Sequence, residues 1–179
     1  MYRRIQRRPI KRRVKKKNPL NENHGHTGRF LIWTIDPVSK ERRFRANKKN
    51  LIMDRTFTYD IGYLFGSSSI NQGQIYHLAI GDDNTAPTST DSTLGNEVYR
   101  VPVTSQVRTG VGELTSEFYI TNTEFSGDIE ELGIYAGLTS EDWNGGTGAD
   151  TGILLARVLY SDTKGSNEEL LIQRIDSFS

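Results

Sequence analysis

The stretch Glu113–Ile120, ELTSEFYI, alternates strictly along its length. Leu114, Ser116, Phe118 and Ile120 fall on one side of an extended chain, and Glu113, Thr115, Glu117 and Tyr119 on the other. Successive side chains of a strand point to opposite faces, so this is the pattern of a half-buried β-strand. Working outward, IEELGIYA (129–136) repeats it, with Leu132, Ile134 and Ala136 on one face. GILLARVLY (152–160) and EELLIQRI (168–175) read as two more strands, joined by a six-residue hairpin loop over 161–166. QIYHLAI (74–80) is a strand that runs into a long polar loop over 81–95. EVYRVPVTSQV (97–107) reads as one strand interrupted by Pro102, which predicts a sheet edge or a bulge. Toward the N-terminus, RFLIWTID and ERRFRAN are short β-type runs joined through Pro37, Val38, Ser39 and Lys40.

One segment has helical spacing. Asp54 can cap a helix reaching about Phe65, in which Phe57, Ile61, Leu64 and Phe65 recur every three to four residues before Gly66 stops it. The expected architecture is therefore mainly β. It is an antiparallel β-sandwich over residues 29–179 with a short helix near 54–65, preceded by an extended basic arm and linker over 1–28.

The charge is unevenly placed. The 179 residues hold 23 Lys and Arg against 22 Asp and Glu, a net charge of +1. Ten of the cations lie in the first 17 residues, MYRRIQRRPIKRRVKKK, which contain no acid. The rest of the chain has 13 basic and 22 acidic residues, or −9. A basic tail on an acidic body is the signature of an interaction segment. Fully extended, such an arm reaches about 55 Å. Its apolar residues Ile5, Ile10 and Val14 are scattered around Pro9 and make a poor amphipathic helix, so no membrane partner is expected. No apolar core follows the cations, so the arm does not read as a secretory signal. Runs such as 30–33 and 153–156 are too short for a transmembrane helix.

Catalytic patterns are scarce. With no cysteine, disulfides, thiol nucleophiles and Cys-ligated zinc are excluded. His24 and His26 lack a third metal ligand in sequence, and His77 alternates with Ile75 and Ala79 as a structural strand residue would. Asp82, Asp83, Asn84 and Asp91 could hold calcium, but the spacing is not that of an EF-hand, and turns using Asx hydrogen bonds account for them. Glu130 and Glu131 are neighbours in one strand and point apart, so they cannot work as a carboxylate pair. The glycines from 145 to 152 lack the phosphate-loop pattern. No enzyme activity, cofactor or metal is expected. Trp143, in a predicted loop, is a candidate for contact with a partner subunit or ligand.

Three pieces taken together are more specific. GDDNTAPTSTDSTLGNEVYR (81–100) carries a Thr85-Ala86-Pro87 loop and then Thr93, Leu94, Asn96 and Glu97. GDIEELGIYAG (127–137) carries Glu131 to Tyr135. The last strands carry Leu155-Ala156-Arg157, then Lys164 and Leu170. With NLIMDRTFTYDIGYLFG (50–66) as a helix leading into the sandwich, this order, covering about residues 47–176, resembles a widespread family of tailed-bacteriophage virion proteins. The resemblance implies a non-enzymatic structural or attachment module of head, neck, tail tip or fibres, found in the virion and assembled in the host cytoplasm. The expected role is head decoration, cement or collar, anchored to neighbouring virion subunits by Arg3, Arg4, Arg7, Arg8, Lys11, Arg12, Arg13, Lys15, Lys16 and Lys17, in a homo-oligomer. A tail, baseplate or fibre-associated adaptor or host-binding module is the alternative, and nucleic-acid contact by the arm is a second.

Overall fold

The computed structural model describes residues 25–54, 56, 75–136 and 152–178. The strands are β1 (His26–Ile35), β2 (Arg42–Lys49), β3 (Leu51–Ile52), β4 (Ile75–Gly81), β5 (Glu97–Pro102), β6 (Ser105–Gly110), β7 (Glu113–Ile120), β8 (Gly127–Ala136), β9 (Ile153–Lys164) and β10 (Glu169–Phe178). They form two five-stranded sheets, ordered β2-β1-β10-β7-β6 and β3-β9-β8-β4-β5. Every pairing in both is antiparallel. The protein is mainly β, as the alternation predicts.

One apolar cluster draws on both sheets. The first supplies Phe30, Ile32, Phe118, Ile120, Leu170 and Ile172; the second supplies Leu78, Ile80, Leu132, Ile134, Ala156 and Val158, among others. The inward residues of β7 are those on the Leu114–Ile120 side of the quoted stretch: Phe118 and Ile120 are fully buried. Each such side chain contributes roughly 1.5–3 kcal/mol by leaving water.

The first hairpin closes as its sequence suggests. Asp36 Oδ1 accepts hydrogen bonds from the N–H groups of Val38 (2.9 Å) and Ser39 (2.7 Å), an Asx turn. Lys40 then takes φ 59°, in the left-handed region, and donates its N–H to the Asp36 carbonyl at 2.9 Å.

Two expectations need correction. Residues 97–107 are two strands in different sheets. Pro102 cannot donate to a ladder and ends β5 at the edge of its sheet. The next two N–H groups make the crossing: Val103 donates to Tyr76 in one sheet (2.7 Å) and Thr104 to Glu117 in the other (2.7 Å). The last two strands likewise form no hairpin. β9 runs on to Lys164, pairing residues 127–129 with 162–164, so only 165–168 remain as a connection. β10 then enters the opposite sheet, where β1 and β7 occupy both its edges. Lys164 fixes the crossing from inside: its buried Nζ donates to the carbonyls of Phe125 (2.6 Å) and Gly165 (3.3 Å).

β1 also starts three residues inside the segment read as linker. His26 Nε2 bonds Asp176 Oδ1 at 2.8 Å and its ring stacks on Phe178, which ties the strand's first residue to β10. Of the expected helix near 54–65, all but Asp54 and Thr56 lie outside the described residues, as does the arm through His24.

Two outcomes follow from this packing. Phe118→Ala should cost about 3–5 kcal/mol in urea unfolding, the range for deleting a buried aromatic ring. The second concerns Asp176. Burial alone would raise its carboxyl, but the Arg174 guanidinium and His26 outweigh it and hold the group below the ordinary 3.8. A lowered folded-state value adds stability above pH 3.8, which is lost as the carboxylate protonates at lower pH. Unfolding midpoints measured from pH 7 to pH 2 should fall less steeply below pH 4 for Asp176→Asn than for the native chain, from a lower starting point.

Candidate functional site

The outer face of the second sheet is not solvated, and the reason is an arginine. Gly133 lies between Arg157 of β9 and Ala79 of β4, and Ala79 lies beside Arg100 of β5. Two arginines therefore flank a strip of small residues. Leu94, from the loop after β4, lies on that strip: a Cβ on Gly133 would come within 2.8 Å of Leu94 Cδ2. Glycine is needed here so that Leu94 can bury against Tyr135, Leu154, Ala79 and Met53, which form a second apolar cluster.

Arg157 holds the loop down. Its Nε donates to Glu131 Oε2 at 2.5 Å, its Nη1 to Asp91 Oδ2 at 2.7 Å and its Nη2 to the Thr85 carbonyl at 3.1 Å. Glu131, fully buried, uses its other oxygen to accept the N–H groups of Gly95 (2.8 Å) and Asn96 (3.2 Å). Tyr135 presents its hydroxyl to the Leu94 N–H at 3.0 Å, and Arg100 lies over its ring at 4.2 Å. Glu97 clamps Arg100 through both carboxylate oxygens, at 2.6 and 2.7 Å, with neither side chain exposed. Burial pushes the Glu131 carboxyl up against the opposing pull of Arg157 and the two N–H groups. Burial also works against the Arg157 cation, but Asp91 and Glu131 outweigh it and hold it above its ordinary value. The motif residues Thr85, Leu94, Asn96, Glu97, Glu131, Gly133, Tyr135 and Arg157 thus meet in one clasp.

The acids weighed as calcium ligands serve the same loop. Asp83 Oδ1 accepts the Thr85 N–H at 2.6 Å, Asp91 accepts the N–H and hydroxyl of Thr88, and Asp82 accepts the Asn96 amide at 2.6 Å. Among the described residues no group of three potential ligands is placed to hold a metal. His77 is buried within β4. Glu130 and Glu131 do not take opposite faces as expected: a β-bulge between Ile129 and Glu131 sets both between the inward Ile129 and Leu132, and they differ in partner, Glu130 accepting from Ser161 at the exposed side and Glu131 sealed in the clasp. The ten arm cations, Trp143 and His24 lie outside the described residues.

A different cationic surface is on view. Twelve Lys and Arg residues are described. Arg100, Arg157, Lys164 and Arg174 are buried. Of the eight that are exposed, seven (Arg29, Lys40, Arg42, Arg43, Arg45, Lys48 and Lys49) sit on the β1–β2 hairpin, and Arg108 is the other. From residue 50 on, the chain has six basic residues against 19 acidic. The basic half of the molecule therefore extends beyond the arm onto an edge of the first sheet. The run RRFRANKK signals this in the sequence, but as a strand pattern it draws attention to its period and away from its charge.

Comparison of the chain with family models, with curated proteins and with solved structures finds no match.

Arg157→Met should cost about 3–5 kcal/mol, because it leaves the Glu131 charge buried without its partner. Hydrogen exchange should show the N–H groups of Gly95 and Asn96 losing protection first, while β7 and β10 keep theirs.

Proposed function

We propose that this chain is a non-enzymatic structural protein of a tailed-phage virion, head decoration, cement or collar, held to neighbouring subunits by its basic N-terminal side. In this reading the two sheets pack face to face as a β-sandwich, a short helix near 54–65 leads into it, and the extended basic arm and linker precede β1, which begins at His26.

The observation that carries the reading is the clasp. The residues behind the family resemblance are short, common pieces far apart in sequence, and they fit one another physically: the Thr85 loop and the Leu94–Glu97 segment are fastened by Glu131, Tyr135 and Arg157. The charge layout supports the anchor. Exposed cations gather at the hairpin that follows the arm, so the basic side of the molecule is larger than the arm alone. Many copies on one particle would multiply weak contacts through avidity.

The test is incorporation into particles. A chain lacking residues 1–17 should fold, giving the native circular dichroism spectrum, and yet fail to co-sediment with particles. Normal incorporation of the truncated chain would show that the arm is not the anchor.

A further inference from the structure

We infer that the outer face of the β1–β2 ladder is a binding surface for single-stranded nucleic acid, separate from any contact made by the arm and independent of the virion role. Register places Trp33 opposite Phe44, Leu31 opposite Asn47 and Arg29 opposite Lys49 on one face of the ladder. Phe44 is 56% exposed and meets Trp33 edge-on, with ring centroids 5.7 Å apart. At the far end, Arg42 lies near enough to Tyr119 to oppose the rise of its phenol, which burial and Glu169 push up to about 12. Lys40 is at that end too, bonded to Glu169 at 3.0 Å. Cations thus bracket two accessible rings over a length of about 20 Å, counted at roughly 3.3 Å per residue. The acids of this face, Glu113, Glu117 and Glu169, belong to β7 and β10, which confines a polyanion to the β1–β2 half.

Charged residues on an edge strand also serve to repel other strands, and β2 carries a second such device. Phe44 pairs with Trp33 and Ala46 with Ile32, so Arg45 is a bulge residue, and it turns away to Asp162. These features argue against strand addition by an acidic protein segment. They do not explain an exposed Phe44 beside Trp33, which works against solubility. Flat rings next to cations on an open sheet suit a flexible polyanion whose bases stack and whose phosphates pair with Arg and Lys. The chain's own arm and a second copy's hairpin are excluded as occupants by like charge.

The experiment uses the full chain carrying Trp143→Phe, which leaves Trp33 as the single tryptophan. Titration with a twelve-residue oligodeoxythymidylate should quench Trp33 emission saturably. Phe44→Ala should weaken that binding about five-fold or more, the loss of one stacking partner, while Phe44→Tyr keeps it. Arg29→Gln combined with Lys49→Gln should make the slope of log affinity against log salt shallower by about 1.4. Circular dichroism confirms the fold of each variant. The inference is overturned if the oligonucleotide binds with Trp33 emission unchanged, if it does not bind, or if Phe44→Ala binds as the parent does. It is also overturned if a duplex or polyglutamate quenches Trp33 as strongly, which would assign the face to duplex or to an acidic protein.

Discussion

The ion pair between Arg157 and Glu131 is the constraint around which the second sheet is organised. Both side chains are out of water, and each charge is costly without the other. The pair is made tolerable by completing its hydrogen bonds: Asp91 and the Thr85 carbonyl take the remaining guanidinium donors, and two backbone N–H groups take the other Glu131 oxygen. Those extra partners all come from the loop between β4 and β5. Satisfying the charges therefore requires the loop to lie flat on the sheet, and once it does, Leu94 is delivered onto Gly133 and an apolar cluster forms beneath it. A long polar loop becomes a second layer of core. The bulk of β8 and β9 is then buried on both faces, which suits their place at the centre of the sheet.

The same residue type is used in two ways, and the division gives the molecule its polarity. Arg100, Arg157, Arg174 and Lys164 are internal fasteners whose charge never reaches the surface. Seven of the other eight described cations sit on the β1–β2 hairpin, next in sequence to an arm that carries ten more. With buried cations removed from the surface, residues 50 onward present acid almost without relief.

Much of the architecture was legible because strands with one wet face advertise a period of two. ELTSEFYI, the tight connection through Pro37 to Lys40, and Pro102 at an edge were readable, while the Asp36 hydrogen bonds that close the first hairpin were not. What was not readable is which sheet a strand joins. The connection after β9 looks like a hairpin in sequence, because polarity marks a turn but says nothing about the partner across it. The clasp was hidden for a related reason: Glu131 faces away from Leu132 and Ile134, and an acid on the second face of a strand reads as solvated. Its burial depends on Arg157, 26 residues away, and on a loop whose composition looks wet. The available signal is diagonal: Glu131 of β8 and Arg157 of β9 share the outer face, one pair apart in the register that sets Glu131 opposite Leu159 and Gly133 opposite Arg157. The basic edge was visible in RRFRANKK as composition, and only the strand order shows that it lies on an open edge.

The central claim is that the basic N-terminal arm attaches this chain, as a virion subunit, to its neighbours. Cryo-electron reconstruction of particles from producing cells tests it most directly. The account predicts density for this chain at regular sites on the particle, with the chain that precedes β1 running into neighbouring subunits and the acidic remainder toward solvent. Absence of the chain from particles, or an arm that makes no contact while the clasp loop does, would contradict it.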